Sequence, residues 1–255
     1  MTNAANFDFS GAKVIVTGAS KGIGKGIAQR FLEAGAAVSI CARGAEDLEK
    51  ARDELSAAGR VHAAPCDLSR AEQIERYVAE AAQALGGLDV LVNNASGFGR
   101  SDDEAGWSTS VNVDLMGTIR MCRAALPWLE ASPSASIVHV TSITAFRPSR
   151  KAPAYAAIKA ALVAYTGSQA LELISKGVRV NTVAPGSTEA PGHFFETRRL
   201  AGDPEYAAML ATQPTGRMGM PADIADVVLF LSSDAGRWVI GQTVVADGGQ
   251  RLNGG

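Results

Sequence analysis

The sequence predicts an α/β domain in which about seven parallel strands form a doubly wound sheet with helices on both faces. Three observations point there. Short apolar runs alternate with amphipathic helical patterns from end to end. The runs are continuously apolar instead of alternating, as strands covered on both faces are. Each conspicuous motif falls at or just after the carboxyl end of a strand, or on the helix that follows, where doubly wound sheets bind their ligands.

The elements follow in order. Lys13 to Val16 is a β-branched run that reads as a buried strand. Thr17-Gly18-Ala19-Ser20-Lys21-Gly22-Ile23-Gly24 is a glycine-rich turn. Ile23, Ile27, Ala28, Phe31 and Leu32 then recur at helical spacing, and Gly35 closes the run as a C-cap. Further strands are expected at Val38 to Cys41, Val61 to Ala64, Leu88 to Val92, Ile137 to Val140, Val178 to Val183 and Thr243 to Ala246. Between them Ile74, Val78, Ala82 and Leu85 mark one helix, and Ile224, Val228 and Leu231 another. Longer helices are expected over about Glu104 to Glu130, interrupted at Asn112, and about Ala154 to Lys176 after Pro153. Ser187 to Thr215 departs from this rhythm, and a connection so long is either a functional segment or a surface excursion.

Composition narrows the function classes. The 255 residues are 47% hydrophobic and 20% charged, ordinary values for one soluble domain. The formal charge of −2 comes without a basic run, so nothing points to nucleic acid or an anionic membrane surface. No apolar stretch approaches the ~18 residues of a membrane span, and Met1 to Asp8 lacks the build of a signal peptide. Cys41, Cys66 and Cys122 are too scattered for a disulfide framework, and their odd number fits a reducing cytoplasm. His62, His139 and His193 have no ligand-spaced partners, so no metal is expected.

Two motifs carry chemistry. A glycine-rich turn between strand and helix presents bare amides at a positive helix end, which suits a phosphate. In Tyr155-Ala156-Ala157-Ile158-Lys159, positions i and i+4 share a helix face, which sets an ammonium near a phenol. Such a cation favours the phenolate form.

Together these stretches resemble the short-chain dehydrogenase/reductase family in its single-domain branch. The resemblance covers nearly the whole chain: Thr17 to Gly24, Asp67, Asn93-Asn94-Ala95, Asn112, Ser142 thirteen residues before Tyr155, Lys159, Pro185-Gly186, Gly241-Gln242 and Asp247-Gly248-Gly249. Gly216-Arg217 and that tail look like 3-oxoacyl-acyl-carrier-protein reductases. The resemblance implies a Rossmann-type fold over residues 1–255, with a substrate lid at about 187–215. It implies Tyr155 as general acid in reduction and base in oxidation, Lys159 as its cationic neighbour, Ser142 as hydrogen-bond donor to the substrate oxygen, and Asn112 as holder of a water leading from Lys159.

For the cofactor it implies Gly18, Ser20, Lys21, Gly22, Ile23, Gly24, Arg43, Asp67, Leu68, Asn94, Ala95, Tyr155, Lys159, Pro185, Gly186 and Thr188. Asp67 is also a candidate helix cap, although Ser69 is the better one. Two departures stand out: Ser96 follows Asn93-Asn94-Ala95 where a glycine is usual, and Ala190 replaces a usual threonine, with Thr188 two residues earlier. Ala42 stands where NAD-specific relatives carry an acidic residue, and Arg43 and Lys21 add cations, so NADP(H) is expected. The lesser reading is that both cations are ordinary solvated charges, and an NAD-linked alcohol dehydrogenase of the same family is the alternative. Phe98, Phe146, Phe194, Phe195 and Met209 are expected to ring an apolar pocket for a ketone or secondary alcohol, with Arg147, Arg150 and Arg198 near enough to meet an anionic group. A homotetramer is also implied. A nucleotide-sensing protein without turnover is the rival outside enzymes, and the filled catalytic positions argue against it.

Overall fold

The computed structural model describes residues 7–253. In chain order its first half holds β1 (Lys13–Thr17), α1 (Gly22–Glu33), β2 (Ala37–Cys41), α2 (Ala45–Leu55), β3 (Val61–Ala63), α3 (Ala71–Leu85) and β4 (Val90–Asn93). α4 (Glu104–Thr109), a π-helical turn (Ser110–Met116) and α5 (Gly117–Glu130) come next, then β5 (Ser136–Val140) and a 3-10 turn (Ile143–Phe146). The remainder is α6 (Pro153–Leu173), β6 (Arg179–Pro185), α7 (Phe194–Leu200), α8 (Pro204–Ala211), α9 (Pro221–Ser232) and β7 (Thr243–Ala246). All seven strands pair in parallel in the order β3-β2-β1-β4-β5-β6-β7, so the expected doubly wound sheet is the observed one.

Strand alternation divides the core in two. Val14 and Val16 of β1, Val90 and Val92 of β4, and Val138 of β5 join Phe31, Leu48 and Val228 on the face covered by α1, α2 and α9. Ile15, Leu91 and Ile137, one residue out of phase, join Tyr77, Met121 and Leu173 on the face of α3, α5 and α6. Each fully buried large side chain contributes about 1.5–3 kcal/mol. The two layers fix the strand ends on which the site is built.

Two long helices differ from expectation. The run over 104–130 is helical throughout, but Ser110–Met116 widens into a π-turn. Its polar members find partners outside the helix: Ser110 Oγ donates to the Gly99 carbonyl at 2.9 Å, and Asp114 Oδ2 accepts the Gly97 N–H at 2.9 Å. π-turns inside α-helices are frequent at functional sites. α6 stops at Leu173, and a 3-10 turn carries the chain to Gly177, whose φ of 77° ends the helix.

The junction of β1 and β4 sits where the strand order reverses, and buried Thr17 ties it together. Its hydroxyl accepts the N–H groups of Asn94 (2.9 Å) and Ala95 (3.1 Å) and donates to the Val92 carbonyl (3.4 Å). The Asn94 amide donates back to the carbonyls of Thr17 (2.9 Å) and Gly18 (3.1 Å). Thr17→Val keeps the shape but leaves two inward amides unpaired, each worth about 1–3 kcal/mol. Denaturant unfolding is expected to show a loss of at least about 2 kcal/mol. A loss below about 0.5 kcal/mol, within ordinary surface-substitution effects, would show that the hydroxyl does not organise this junction.

Candidate active site

A cleft of about 1190 Å³ opens over the carboxyl ends of the strands at the reversal of strand order. One end is the glycine turn between β1 and α1, and the other is formed by the end of β5, the start of α6 and the 187–215 segment. Every residue expected to hold a cofactor lines it, with the exception of Asp67.

The glycine turn is shaped for a phosphate. Gly18 and Gly22 adopt φ of 65° and 64°, a region that side chains resist. A Cβ on Gly18 would come within 2.7 Å of the Ala95 Cα, so the two loops meet only because the residue is glycine. Lys21 is the N-cap of α1 and its side chain caps nothing, so no side chain shields the first-turn amides from the cleft. Lys21, Arg43 and Ala42 lie at this end, and neither cation has a salt-bridge partner among the described residues. The donor set fits a dinucleotide phosphate.

Asp67 turns elsewhere. Its Oδ1 accepts the N–H (2.9 Å) and O–H (2.8 Å) of Ser69. Burial works to raise its pKa, but those bonds and the charges of Arg43 and Arg70 lower it. Leu68 and Cys66 present their surfaces to the cleft in its place. Thr188 does line the cleft, yet its hydroxyl donates to the Gly186 carbonyl at 3.1 Å.

At the other end Ser142 caps the 3-10 turn that follows β5. Its Oγ accepts the Thr144 N–H at 3.2 Å, which leaves the hydroxyl proton free to be donated. Pro153 starts α6, and Tyr155 stands in its first turn with its ring stacked on Phe98, centroids 6.0 Å apart and 13° from parallel. Phe98 itself has φ of 51°, the only left-handed non-glycine residue among those described. Such strain persists where surroundings hold it, commonly at functional sites. One helical turn on, Lys159 places Nζ 5.4 Å from the centre of the Tyr155 ring. Nζ donates to the Val140 carbonyl (3.3 Å) and lies 3.1 Å from Asp114 Oδ1. Burial alone would lower the Lys159 pKa, but the adjacent Asp114 and Tyr155 oxygens reverse that and raise it.

Three expected residues stand apart from this cluster. Asn112 is exposed, its amide donates to Ser108 Oγ at 3.1 Å, and it does not line the cleft; the side chain that reaches Lys159 is Asp114. The reason is helix phase, since two positions along a helix point to nearly opposite sides. Asp67 faces Ser69, as described. Phe146 lines a neighbouring shallow groove, its ring covered by the Arg251 guanidinium at 4.5 Å. Phe98, Phe194, Phe195 and Met209 do meet in the cleft. They share it with Arg100, Arg147, Arg150, Lys151 and Arg198, so its wall is amphipathic rather than apolar.

Sequence reading missed two residues. Asp114 had a signal: Ser110, Asp114 and Thr118 recur at i, i+4, i+8 as a polar stripe that the fold buries. His193 lies against Gly22 from the opposite wall, and its Nδ1 is buried without a partner. Burial, with Lys21 and Arg100 nearby, lowers its pKa. His139, by contrast, belongs to the core: it bonds Gln169 at 3.0 Å, and burial pushes its pKa down to about 4.

Comparison with known proteins agrees with this geometry. Residues 18–251 match the family model described as enoyl-(acyl carrier protein) reductase. The chain is 35% identical over 254 residues to glucose 1-dehydrogenase of Gluconobacter oxydans, covering 96% of this chain and 94% of the relative. It is 34% identical over 252 residues to the 3-oxoacyl-[acyl-carrier-protein] reductase FabG of Vibrio cholerae, covering 96% and 99%. An NADPH-bound short chain oxidoreductase from Pseudomonas aeruginosa PAO1 superposes with a TM-score of 0.86 at 35% identity, covering 95% of this chain and 98% of the other. With sheet order, cleft and sequence in agreement, the chain belongs to the short-chain dehydrogenase/reductase family of oxidoreductases.

Proposed function

We propose that this protein reduces a ketone, or oxidises the matching secondary alcohol, with NADP(H). One observation carries the reading: Ser142, Tyr155 and Lys159 converge at one end of a cleft whose other end is an uncapped glycine turn. When bound there, the nicotinamide cofactor supplies or accepts the hydride. Gly18 to Gly24, Asn94, Ala95, Leu68 and Pro185-Gly186 would hold it, with Lys21 and Arg43 at the adenosine phosphate. Tyr155 gives its phenolic proton to the carbonyl oxygen as charge develops, and takes it back in oxidation. Ser142 donates a hydrogen bond from its free hydroxyl to the same oxygen and keeps its proton.

The substrate end supports a hydrophobic carbonyl compound such as a 3-oxoacyl chain. Phe98, Phe194, Phe195 and Met209 offer apolar surface, and the segment 187–215, carrying α7 and α8, forms the lid. A relative of the acyl-reductase type supports that class, while the glucose dehydrogenase shows that the family's substrates vary. All three cysteines are free thiols, which fits the cytoplasm. Offering a panel of ketones and acyl thioesters, and following NADPH oxidation by absorbance, tests the reading. No turnover with any of them would favour a nucleotide-binding protein without catalysis.

Tyr155→Phe keeps the ring on Phe98 and removes the proton. Turnover is expected to fall by orders of magnitude, with NADPH affinity by fluorescence titration nearly unchanged. Asn112→Ala, on the exposed face, is expected to keep kcat within about twofold. Retention of more than about a tenth of the activity by Tyr155→Phe would remove Tyr155 from the mechanism.

NADPH is expected to bind more tightly than NADH. Loss of one desolvated, charge-assisted bond to the phosphate costs ~1.5–3 kcal/mol, roughly ten- to hundredfold in affinity. Ala42→Asp with Arg43→Leu, which removes a cation and adds a repulsive carboxylate, is expected to abolish or reverse the preference in calorimetric titration. Equal or tighter binding of NADH by the unmodified protein would sink the assignment.

We also infer a homo-oligomer, a tetramer by family resemblance. Trp238 is 93% exposed, and Leu171 is 81% exposed on α6, large apolar surfaces that a partner copy would cover. Light scattering that returns the monomer mass at micromolar protein would refute this.

A further inference from the structure

We propose that Asp114 is a positioning residue that keeps Lys159 charge-compensated, so that the Tyr155 phenol works beside an ion pair and not beside a lone cation. The inference rests on the reading of Tyr155 as the acid and base. It concerns a carboxylate two residues beyond Asn112, the residue to which the resemblance assigns the water next to Lys159.

The geometry makes the pairing specific. The side chains of Lys159 and Asp114 are 3% and 0% exposed, so water screens neither charge. Asp114 Oδ2 is committed to the Gly97 N–H, and Oδ1, 3.1 Å from Nζ, has no hydrogen-bond partner of its own. The carboxylate is thus held from the loop side and offers its second oxygen to the ammonium alone. The π-turn aims it there: Asp114 sits within Ser110–Met116, and its partner Gly97 directly precedes the left-handed Phe98 that stacks on Tyr155.

Other titratable and charged groups around the pair do not substitute for Asp114. His139, on β5, is kept neutral at physiological pH by burial and by the charge of Lys159. His193 and Arg100 flank the Phe98 ring above Tyr155, at 6.4 Å and 5.8 Å, and neither supplies negative charge. Asp114 is the carboxylate that pairs with Lys159 among the described residues. A neutral side chain in its place leaves the full cationic field of Lys159 on the phenol, which favours the phenolate.

Asp114→Asn isolates this effect, because an asparagine oxygen still accepts the Gly97 N–H. The ionisation of Tyr155 is read as the ultraviolet tyrosinate difference between each protein and its own Tyr155→Phe counterpart, with no substrate needed. In Asp114→Asn the midpoint is expected to move toward acid by about one pH unit or more, as for an uncompensated neighbouring charge. A midpoint that stays put or moves toward alkali overturns the proposal. A second variant guards against a fold that does not tolerate the lone ammonium. Asp114→Asn with Lys159→Gln buries no charge, and its midpoint is expected within about half a unit of the unmodified protein. A shift of that double variant toward alkali by about one unit or more would mean that Lys159 acts as an uncompensated cation, and would overturn the proposal equally. Where the titration moves as expected but the pH at which alcohol oxidation switches on does not follow, the ion pair stands, and the assignment of Tyr155 as acid and base is what fails.

Discussion

A buried ammonium has to be answered by something, and much of the catalytic end is organised by that requirement. Taking an ion such as Lys159 out of water carries a penalty of several kcal/mol, which only close, well-aligned partners offset. Here the partners are the Val140 carbonyl at the end of β5 and Asp114 in the π-turn. Removing either charge would strand the other, at about 3–5 kcal/mol. The pair therefore joins four pieces of structure: the strand end that leads to Ser142, the widened turn, the start of α6 that carries Tyr155, and the loop through Gly97. The strained Phe98 becomes intelligible in this setting, since its loop is anchored on both sides, by Gly97 to Asp114 and by Gly99 to Ser110.

Most of the fold was legible because its signals are repeated. A strand buried on both faces must be apolar at every position, and Val14-Ile15-Val16 or Val90-Leu91-Val92 cannot be read as anything exposed. The glycine turn was legible for a different reason. Only a residue without a Cβ permits the approach of Gly18 to Ala95, so sequence and geometry correspond one to one. The segment over 104–130 was legible as helix but not as π-turn. A single widened turn adds too little to the 3.6-residue period to disturb the pattern of apolar residues, while it rotates everything after it.

Within that turn the motif reading and the geometry part, because of helix phase. Asn112 and Asp114 lie two positions apart, and a motif match chose the residue type expected of the family rather than the one on the inward face. The polar stripe Ser110, Asp114 and Thr118 carried the better physical signal, because a carboxylate on a buried helix face must have a partner. Phe146 failed similarly. Its place four residues after Ser142 says nothing of ring direction, and in the fold its ring lies under Arg251 in the neighbouring groove.

The two ends of the cleft rely on different kinds of charge. At the glycine turn the positive field comes from helix amides and from the Lys21 and Arg43 side chains. At the catalytic end it comes from a lysine whose influence is set by one carboxylate and by burial. Between the two ends Glu205 pairs with both Arg198 and Lys151, and Asp203 with Arg198, whereas Arg100, Arg147 and Arg150 have no acidic partner among the described residues. The substrate end thus keeps a positive excess after its ion pairs are counted. An apolar chain that ends in an anionic group would use both the aromatic wall and those guanidinium groups, and a neutral ketone would use only the first.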